Sequence, residues 1–523
     1  MTDKVNEAIS RSTTTLKGSL QGGFQYAGQK WMLEREFDTS NIKGGILADD
    51  MGLGKTMQAI ATMHGNPCPY TLIVTMVATV GQWKDALIDF GGYKPIIVTP
   101  SFMGILPPID DFKEMIVLTS YSSFQKSRGK SPSCLKEQAW DRVILDEGHI
   151  IRNPKTKVFK EINSIVANIK WVLSGTPIQN TQKDMWSLAR WIGIDESLSI
   201  EDFCKKYVLR RTQAEACLDI PALETKVLKL SFNDVREAKL YDVVETYYRE
   251  RLLKKENEST SSTMEGIIRC RQVCTHPLVY ISGCQSKALK NEGATCRKRR
   301  LDDEEDIVYT GFNIFEKGRE IVSSKVSFLC QDIKKHKEKT LIFCSWILEM
   351  RLIQKSLKDA SISSMIFDGS LSRDSKDNVL YNFKNSIIPV LILQINCGST
   401  GLNLQCASRV YIMNPHYNPC MELQAIGRAY RKGQTKTVVC TRLVMNNTID
   451  ERCLDIQTKK TKIIMNAMMD ETLQSKLGSM KEETLNKVEL QDLLLKKNDV
   501  STLEDIDDKD IVNLIGNICN EEM

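Results

Sequence analysis

Gly45-Ile46-Leu47-Ala48-Asp49-Asp50-Met51-Gly52-Leu53-Gly54-Lys55-Thr56 sets a glycine-rich turn after an apolar run and before Met57–Met63, which reads as helix. A turn at such a junction aims several backbone N–H groups and a helix N-terminus at one point, an arrangement that suits phosphate. Lys55 would reach the β/γ-phosphates of a nucleotide, and the Thr56 hydroxyl would ligate its Mg²⁺. The strict Walker pattern has glycine where Asp49 stands. Taken alone, the stretch also fits a glycine turn beside a surface lysine.

A second stretch decides between these readings. Arg142-Val143-Ile144-Leu145-Asp146-Glu147-Gly148-His149 carries two carboxylates directly after four residues of a buried strand. They would emerge at its C-terminal end, where ligands bind in open α/β sheets. Asp146 would hold Mg²⁺, through water, and Glu147 would be the general base toward an attacking water. Leu173-Ser174-Gly175-Thr176-Pro177-Ile178-Gln179-Asn180 repeats the arrangement with small hydroxyl residues, suited to coupling a γ-phosphate to another surface.

Around these stretches, short β-branched runs alternate with helical patterns: Leu72–Thr75, Arg142–Leu145, Trp171–Leu173, Thr340–Phe343, Val390–Gln394 and Arg409–Met413. Continuous apolar strands between helices indicate parallel sheets buried on both faces. The runs fall before residue 195 and after residue 320. The fold expected is therefore α/β, with two parallel-sheet lobes, a helical insertion between them and a helical, acidic C-terminal tail. The boundaries read as 1–15 disordered, 16–195 first lobe, 196–319 helical inter-lobe region with flexible linkers, 320–470 second lobe and 471–523 acidic tail. Asp234–Lys255 reads as one long amphipathic helix, Asn257–Thr263 as a linker, and Ser282–Asp306 as a polar, mobile stretch containing Arg297–Arg300.

With 523 residues, 42% hydrophobic and 26% charged, the composition is that of a multidomain globular chain and excludes collagen-like, mucin-like and fully disordered classes. No apolar run approaches the ~20 residues that span a bilayer. Met1 to Gly23 lacks the apolar core of a secretory signal, so none is expected. The 16 cysteines include no Cys-x-x-Cys pair, which points to reduced, mostly buried thiols rather than a disulfide framework. From Leu477 onward, twelve acidic and five basic residues give −7, so with a net charge of +5 the preceding body carries +12. That balance suits a polyanion partner.

In their order and form, the three stretches resemble the Swi/Snf-type ATPases of helicase superfamily 2. Asp146-Glu147-Gly148-His149 with Arg152-Asn153 has the family's form. Leu72–Trp83, Leu118–Phe124, Leu341–Trp346, Phe367–Ser370, Gly398–Leu404 and Gln424–Gln434 fill the remaining motifs in order. The resemblance implies two RecA-like lobes, ATP with Mg²⁺, and double-stranded DNA as partner. It makes Gln25 the adenine-contacting glutamine and places Gln424, Arg428 and Arg431 in the last motif. Arginines at i and i+3 share a helix face, from which both would reach across the cleft to the γ-phosphate as arginine fingers. Ser120, Tyr121, Ser345, Ser399 and Thr400 lie in the loops that hold DNA backbone. Trp31 and Trp83 read as core aromatics.

Ile268–Pro277 and Tyr417-Asn418-Pro419 resemble the branch of Rad-type repair translocases and Lodestar-type termination factors. Cys270, Cys274, His276, Cys284 and Cys296 do not supply eight ligands at zinc spacing. No zinc and no RING finger are expected, which is closer to Lodestar or to the compact global transactivators of large DNA viruses. The chain departs from the family at Asp50, Met76, Ser399 and Gly427. The function implied is an ATP-driven translocase on double-stranded DNA that displaces or remodels bound proteins. The alternatives are a strand-separating DNA or RNA helicase and an inactive DNA-binding scaffold. A monomer without membrane association is expected, working in the nucleus or alternatively in the cytoplasm; Arg297–Arg300 reads as an import signal or as a solvated loop.

Overall fold

A computed structural model of the chain describes residues 2–467 apart from 103–104, 108–113, 126–133, 180–181, 195–197, 214, 217–219, 255–259, 292–322 and 399–401. The acidic tail and Arg297–Arg300 lie outside the described residues. So do Asn257, Glu258 and Ser259 and the latter part of Ser282–Asp306; the rest of the expected linker, Thr260–Thr263, instead opens the helix Thr260–Thr275, and Ser282–Asn291 ends the helix Pro277–Asn291.

The first sheet has seven strands. In chain order they are β1 (Lys43–Leu47), β2 (Tyr70–Thr75), β3 (Ile96–Val98), β4 (Met115–Ser120), β5 (Trp140–Asp146), β6 (Ala167–Leu173) and β7 (Val208–Leu209). Their spatial order is β3-β4-β2-β5-β6-β1-β7. The second sheet holds β8 (Leu223–Leu230), β9 (Thr340–Cys344), β10 (Ser364–Phe367), β11 (Val390–Gln394), β12 (Arg409–Ile412) and β13 (Val438–Met445), ordered β10-β11-β9-β12-β13-β8. Every pairing among the described strands is parallel. All six apolar runs of the sequence are strands. The central ones, such as β4 and β9, are buried at every position, as helices on both faces of a parallel sheet require.

Register positions the site. Asp146 pairs with Leu173 and Leu173 with Leu47, so β5, β6 and β1 end in one row. The phosphate loop, the acidic pair and Ser174-Gly175-Thr176 therefore leave the sheet side by side.

The domain boundaries differ from those expected in two places. The N-terminus is not disordered: helix α1 (Thr2–Thr15) buries Val5 and Ala8 against Leu33 of α2 (Gly23–Glu36). The buried Ser12 hydroxyl accepts from Gln29 Nε2 at 2.6 Å. Only two small apolar residues and a serine form that face, so composition reads it as polar. The region 196–319 is also not purely helical. The helix Ile200–Tyr207 and β7 complete the first lobe, with Phe203 and Tyr207 in its core. The edge strand β8 belongs to the second sheet, pairing with β13 over Leu223–Leu230. Its sequence, Leu-Glu-Thr-Lys-Val-Leu-Lys-Leu, is polar because an edge strand faces water and is protected by charge. The true connection between lobes is the span from Arg210 to Ala222. The helices Val235–Lys254, Thr260–Thr275 and Pro277–Asn291 then pack with the helix Ile449–Ala467 in one core that includes Tyr241, Cys270, Cys274 and Cys453. Cys274 packs as expected, and His276 Nδ1 accepts from the Leu278 N–H at 3.1 Å.

A buried ion pair fixes α2 to the first sheet. Arg142 on β5 donates to Glu36 from Nε at 2.8 Å and from Nη2 at 2.6 Å, and Trp171 Nε1 donates to the same carboxylate at 2.9 Å. Removing one partner strands the other charge in the core. Glu36→Ala should lower unfolding stability by about 3–5 kcal/mol, read by chemical denaturation.

Candidate active site

The phosphate loop takes its shape from two glycines in left-handed backbone, Gly52 at φ 85° and Gly54 at φ 76°. Gly54 caps α3 (Lys55–Gly65), so the helix N-terminus opens on the loop. Lys55 Nζ donates to the carbonyls of Asp49 at 2.7 Å and Asp50 at 3.3 Å, which holds the ammonium inside the loop. Thr56 follows on the first turn, half-buried. Gln25 on α2 donates to the Leu53 carbonyl at 3.1 Å and accepts from the Gln21 N–H at 2.6 Å. A Cβ at Gly54 would come 2.3 Å from Gln25 Nε2. The expected adenine-side glutamine therefore lies directly against the loop.

Beyond β5, Asp146 and Glu147 stand half-buried beside each other. Thr75 Oγ1 and Trp83 Nε1 donate to Asp146 Oδ2 at 2.7 and 2.8 Å. Trp83 is a core aromatic, as expected, and also a donor to the acidic pair. Burial, then the neighbouring Glu147 charge, push the Asp146 carboxyl up, and these donors and Lys55 oppose them. For Glu147, burial acts upward, yet His149 and the charges of Lys55 and Arg428 hold it below its ordinary value. The net direction favours the carboxylate form of Glu147. Its backbone is left-handed, φ 50° and ψ 46°, a conformation that costs a non-glycine residue about 1–3 kcal/mol. The next residue must be glycine, since a Cβ at Gly148 would lie 2.6 Å from Val172 Cγ1. Glu147 Oε2 is buried without a hydrogen-bond partner. His149 Nδ1 stands 3.3 Å from it and is engaged by Ser174 Oγ at 3.0 Å.

These features fit ATP and Mg²⁺: a loop of backbone N–H groups with an ammonium, a hydroxyl at the helix start, and an orphaned carboxylate oxygen where water would be activated. Gly175 keeps the space over the loop open, because a Cβ there would come 3.1 Å from Met51 Cγ and 3.4 Å from Lys55 Nζ.

The second lobe closes on this site. Gln424 Nε2 donates to Thr176 Oγ1 at 3.4 Å, Asn418 Nδ2 to Gln179 Oε1 at 3.4 Å, and Cys420 Sγ to the Ile178 carbonyl at 3.6 Å. The helix Pro419–Ile426 stops before Arg428, so the two arginines ride on the turns after it rather than on one helix face. Gly427 is the C-cap, and past it the Arg428 carbonyl is turned to Leu404, accepting from its N–H at 3.0 Å. Arg428 is nonetheless buried and feels the Glu147 charge, with burial lowering its guanidinium to about 10. Arg431 backs onto the loop, its Cβ 3.3 Å from a Cβ built at Gly52. A Cβ at Gly427, where the family has aspartate, would sit 3.4 Å from Met51 Sδ.

The expected DNA-contacting residues are less uniform. Tyr121 turns inward and donates to the Asp146 carbonyl at 2.9 Å, which removes its side chain from any surface polymer. Ser120 is buried, with Ser122 Oγ 2.7 Å away. Ser345 is half-buried, its N–H donating to Glu349 at 2.8 Å. Ser399 and Thr400 lie outside the described residues. Sequence reasoning missed Thr75, Arg210, Arg211 and Gln213, whose partners are distant in the chain.

A two-lobed ATPase is what this fold and site define. The model of the SNF2-related domain matches residues 24–204, and that of the helicase conserved C-terminal domain matches residues 324–433. The chain belongs to the Swi/Snf-type ATPases of helicase superfamily 2 and is a DNA-dependent ATPase. It is 26% identical to a probable global transactivator of Orgyia pseudotsugata multicapsid polyhedrosis virus, over 86% of this chain and 91% of that protein. It is 28% identical to the SNF2 domain-containing protein ENL1 of Oryza sativa over 80% of this chain, and 24% identical to the DNA repair protein RAD5 of Candida albicans over 82%. The matches span 48% and 56% of those two proteins, about half their length. Among solved structures, the Sulfolobus solfataricus SWI2/SNF2 ATPase core in complex with dsDNA is 20% identical, with 92% of this chain and 98% of that chain covered and a TM-score of 0.36.

Lys55→Ala should abolish ATP hydrolysis while thermal melting stays near wild type. Glu147→Gln should retain ATP binding in an equilibrium titration and lose about 10²–10⁴-fold in turnover.

Proposed function

We propose that the chain is a motor that uses ATP to track along double-stranded DNA and displaces or remodels proteins bound there. The observation carrying this reading is that Arg428 and Arg431, from the second lobe, stand at Glu147 and the phosphate loop of the first. Hydrolysis then depends on lobe closure, and DNA lying across both lobes favours closure. Each cycle of closing and opening moves one lobe relative to the other along the polymer.

Thr56 and Asp146 would hold Mg²⁺ with ATP, and the ion would neutralise charge on the phosphoryl oxygens. Gln25 and the residues Asp50 to Lys55 bind the nucleotide. Glu147 Oε2 accepts the proton of the attacking water, and Lys55 and Arg428 stabilise the charge that develops on the γ-phosphoryl group. The DNA-facing segments connect with this chemistry through Thr75, Trp83 and Tyr121, all bonded to Asp146. Ser345 and, beyond the described residues, Ser399 and Thr400 are the backbone contacts of the second lobe. Relatives named as a transactivator and as repair proteins support transcription or repair as the setting. Action in the nucleus, as a monomer and without zinc, belongs to the same reading. No described helix is long and apolar enough to cross a membrane.

The test is ATPase rate with no polymer, duplex DNA, single-stranded DNA and RNA in parallel; duplex DNA should stimulate most, and stronger stimulation by single strands or RNA would favour a strand-separating helicase. Arg428→Ala should keep nucleotide and DNA affinity within a few-fold of wild type and lose about 10³-fold in DNA-stimulated turnover. DNA affinity collapsing in parallel would make Arg428 a phosphate-backbone contact instead.

A further inference from the structure

The segment following β7 runs beside the phosphate loop for its whole approach. β7 pairs with β1, and the ladder continues past both strands: the Ala48 N–H donates to the Leu209 carbonyl at 2.7 Å and the Asp50 N–H to the Arg211 carbonyl at 2.9 Å. Gln213 extends the contact, its N–H donating to Asp50 Oδ2 at 3.2 Å and its Nε2 to the Met51 carbonyl at 2.8 Å. Arg210 lies 3.4 Å from Asp50 Oδ1.

Arg211 occupies the centre of this brace. Its guanidinium holds both oxygens of Asp49, Nε to Oδ1 at 2.9 Å and Nη2 to Oδ2 at 2.5 Å. The same Nη2 donates to Gln58 Oε1 at 2.9 Å, and Nη1 donates to the Phe24 carbonyl. Gln58 returns to the loop, donating to Asp49 Oδ2 at 3.1 Å and to the Leu53 carbonyl at 3.2 Å. Space is cleared for the fork by Gly28, where a Cβ would come 1.8 Å from Gln58 Oε1 and 2.6 Å from Arg211 Nη2. Asp49 and Gln58 are wholly buried. One guanidinium therefore ties together the base of the phosphate loop, the helix that follows it and the start of the helix that carries Gln25. These are the three elements to which the proposed function assigns the nucleotide, and the inference rests on that reading.

We propose that Arg211 is a positioning residue for nucleotide binding: its fork onto Asp49, Gln58 and Phe24 sets the spacing between the adenine-side helix and the phosphate loop. A planar fork fixes three partners at once, which a lysine ammonium on a flexible stem does not reproduce. Looser spacing weakens the bound ground state and the transition state alike, which raises KM and leaves kcat at saturation. Recognition of the base loosens with it, because Gln25 is placed by the same helix.

The experiment needs nucleotide alone, so it stands apart from the choice of polymer. In the full chain, Arg211→Lys should weaken ATP binding about tenfold or more in an equilibrium titration, keep kcat at saturating ATP within about threefold, and narrow the preference for ATP over GTP. The double variant Asp49→Asn/Arg211→Met removes both charges and with them the stranded carboxylate. It should fold, as judged by melting temperature, and still bind ATP weakly. Wild-type affinity and base preference in Arg211→Lys would overturn the proposal. So would full recovery of affinity in the double variant, because Arg211 would then serve only to neutralise Asp49.

Discussion

Charge gathered at the end of β5 is the constraint around which the first lobe is built. Asp146 and Glu147 sit side by side and half-buried, where two carboxylates repel and each loses part of its hydration. Their surroundings answer with donors and cations: Thr75 and Trp83 on one oxygen of Asp146, His149 beside Glu147, Lys55 from the phosphate loop and Arg428 from the second lobe. His149, Lys55 and Arg428 together hold the Glu147 carboxyl below its ordinary value against the upward push of burial. Arg428 arrives with the second lobe, so the closed arrangement of the lobes adds one of the charges that favour the Glu147 carboxylate.

The same buried site explains several local features that would otherwise be liabilities. Glu147 adopts left-handed backbone, and Gly148 permits the chain to pass Val172. Gly175 leaves room over the loop, where a Cβ would come 3.1 Å from Met51 Cγ. The supporting sheets are ordinary apolar β-structure.

The core strands and the chemical motifs were legible because each is local. An apolar β-branched run identifies a buried strand wherever its neighbours lie, and all six such runs are strands of the two sheets. Edge strand β8 was not legible, because a strand facing water carries Glu224, Lys226 and Lys229 in place of apolar residues. Helix α1 escaped for a similar reason: its buried face is only Val5, Ala8 and Ser12. The turn-borne Arg428 and Arg431 show how a three-residue spacing leaves the helix end undetermined until Gly427 is seen capping it.

By itself, the sequence determined the phosphate loop, the acidic pair that follows β5 and the two-lobed α/β architecture, since backbone geometry and strand burial are fixed by adjacent residues. Only the tertiary structure decided what holds those groups in place. Trp83 meets Asp146 across 63 residues, Thr75 meets it across 71, and Arg211 meets Asp49 across 162. It also turned Tyr121 from a surface contact into a buried donor and brought Arg428 to Glu147. Such pairings arise from the row in which parallel strands end and from the closure of one lobe on another, and neither leaves a mark on the residues that happen to be neighbours in the chain.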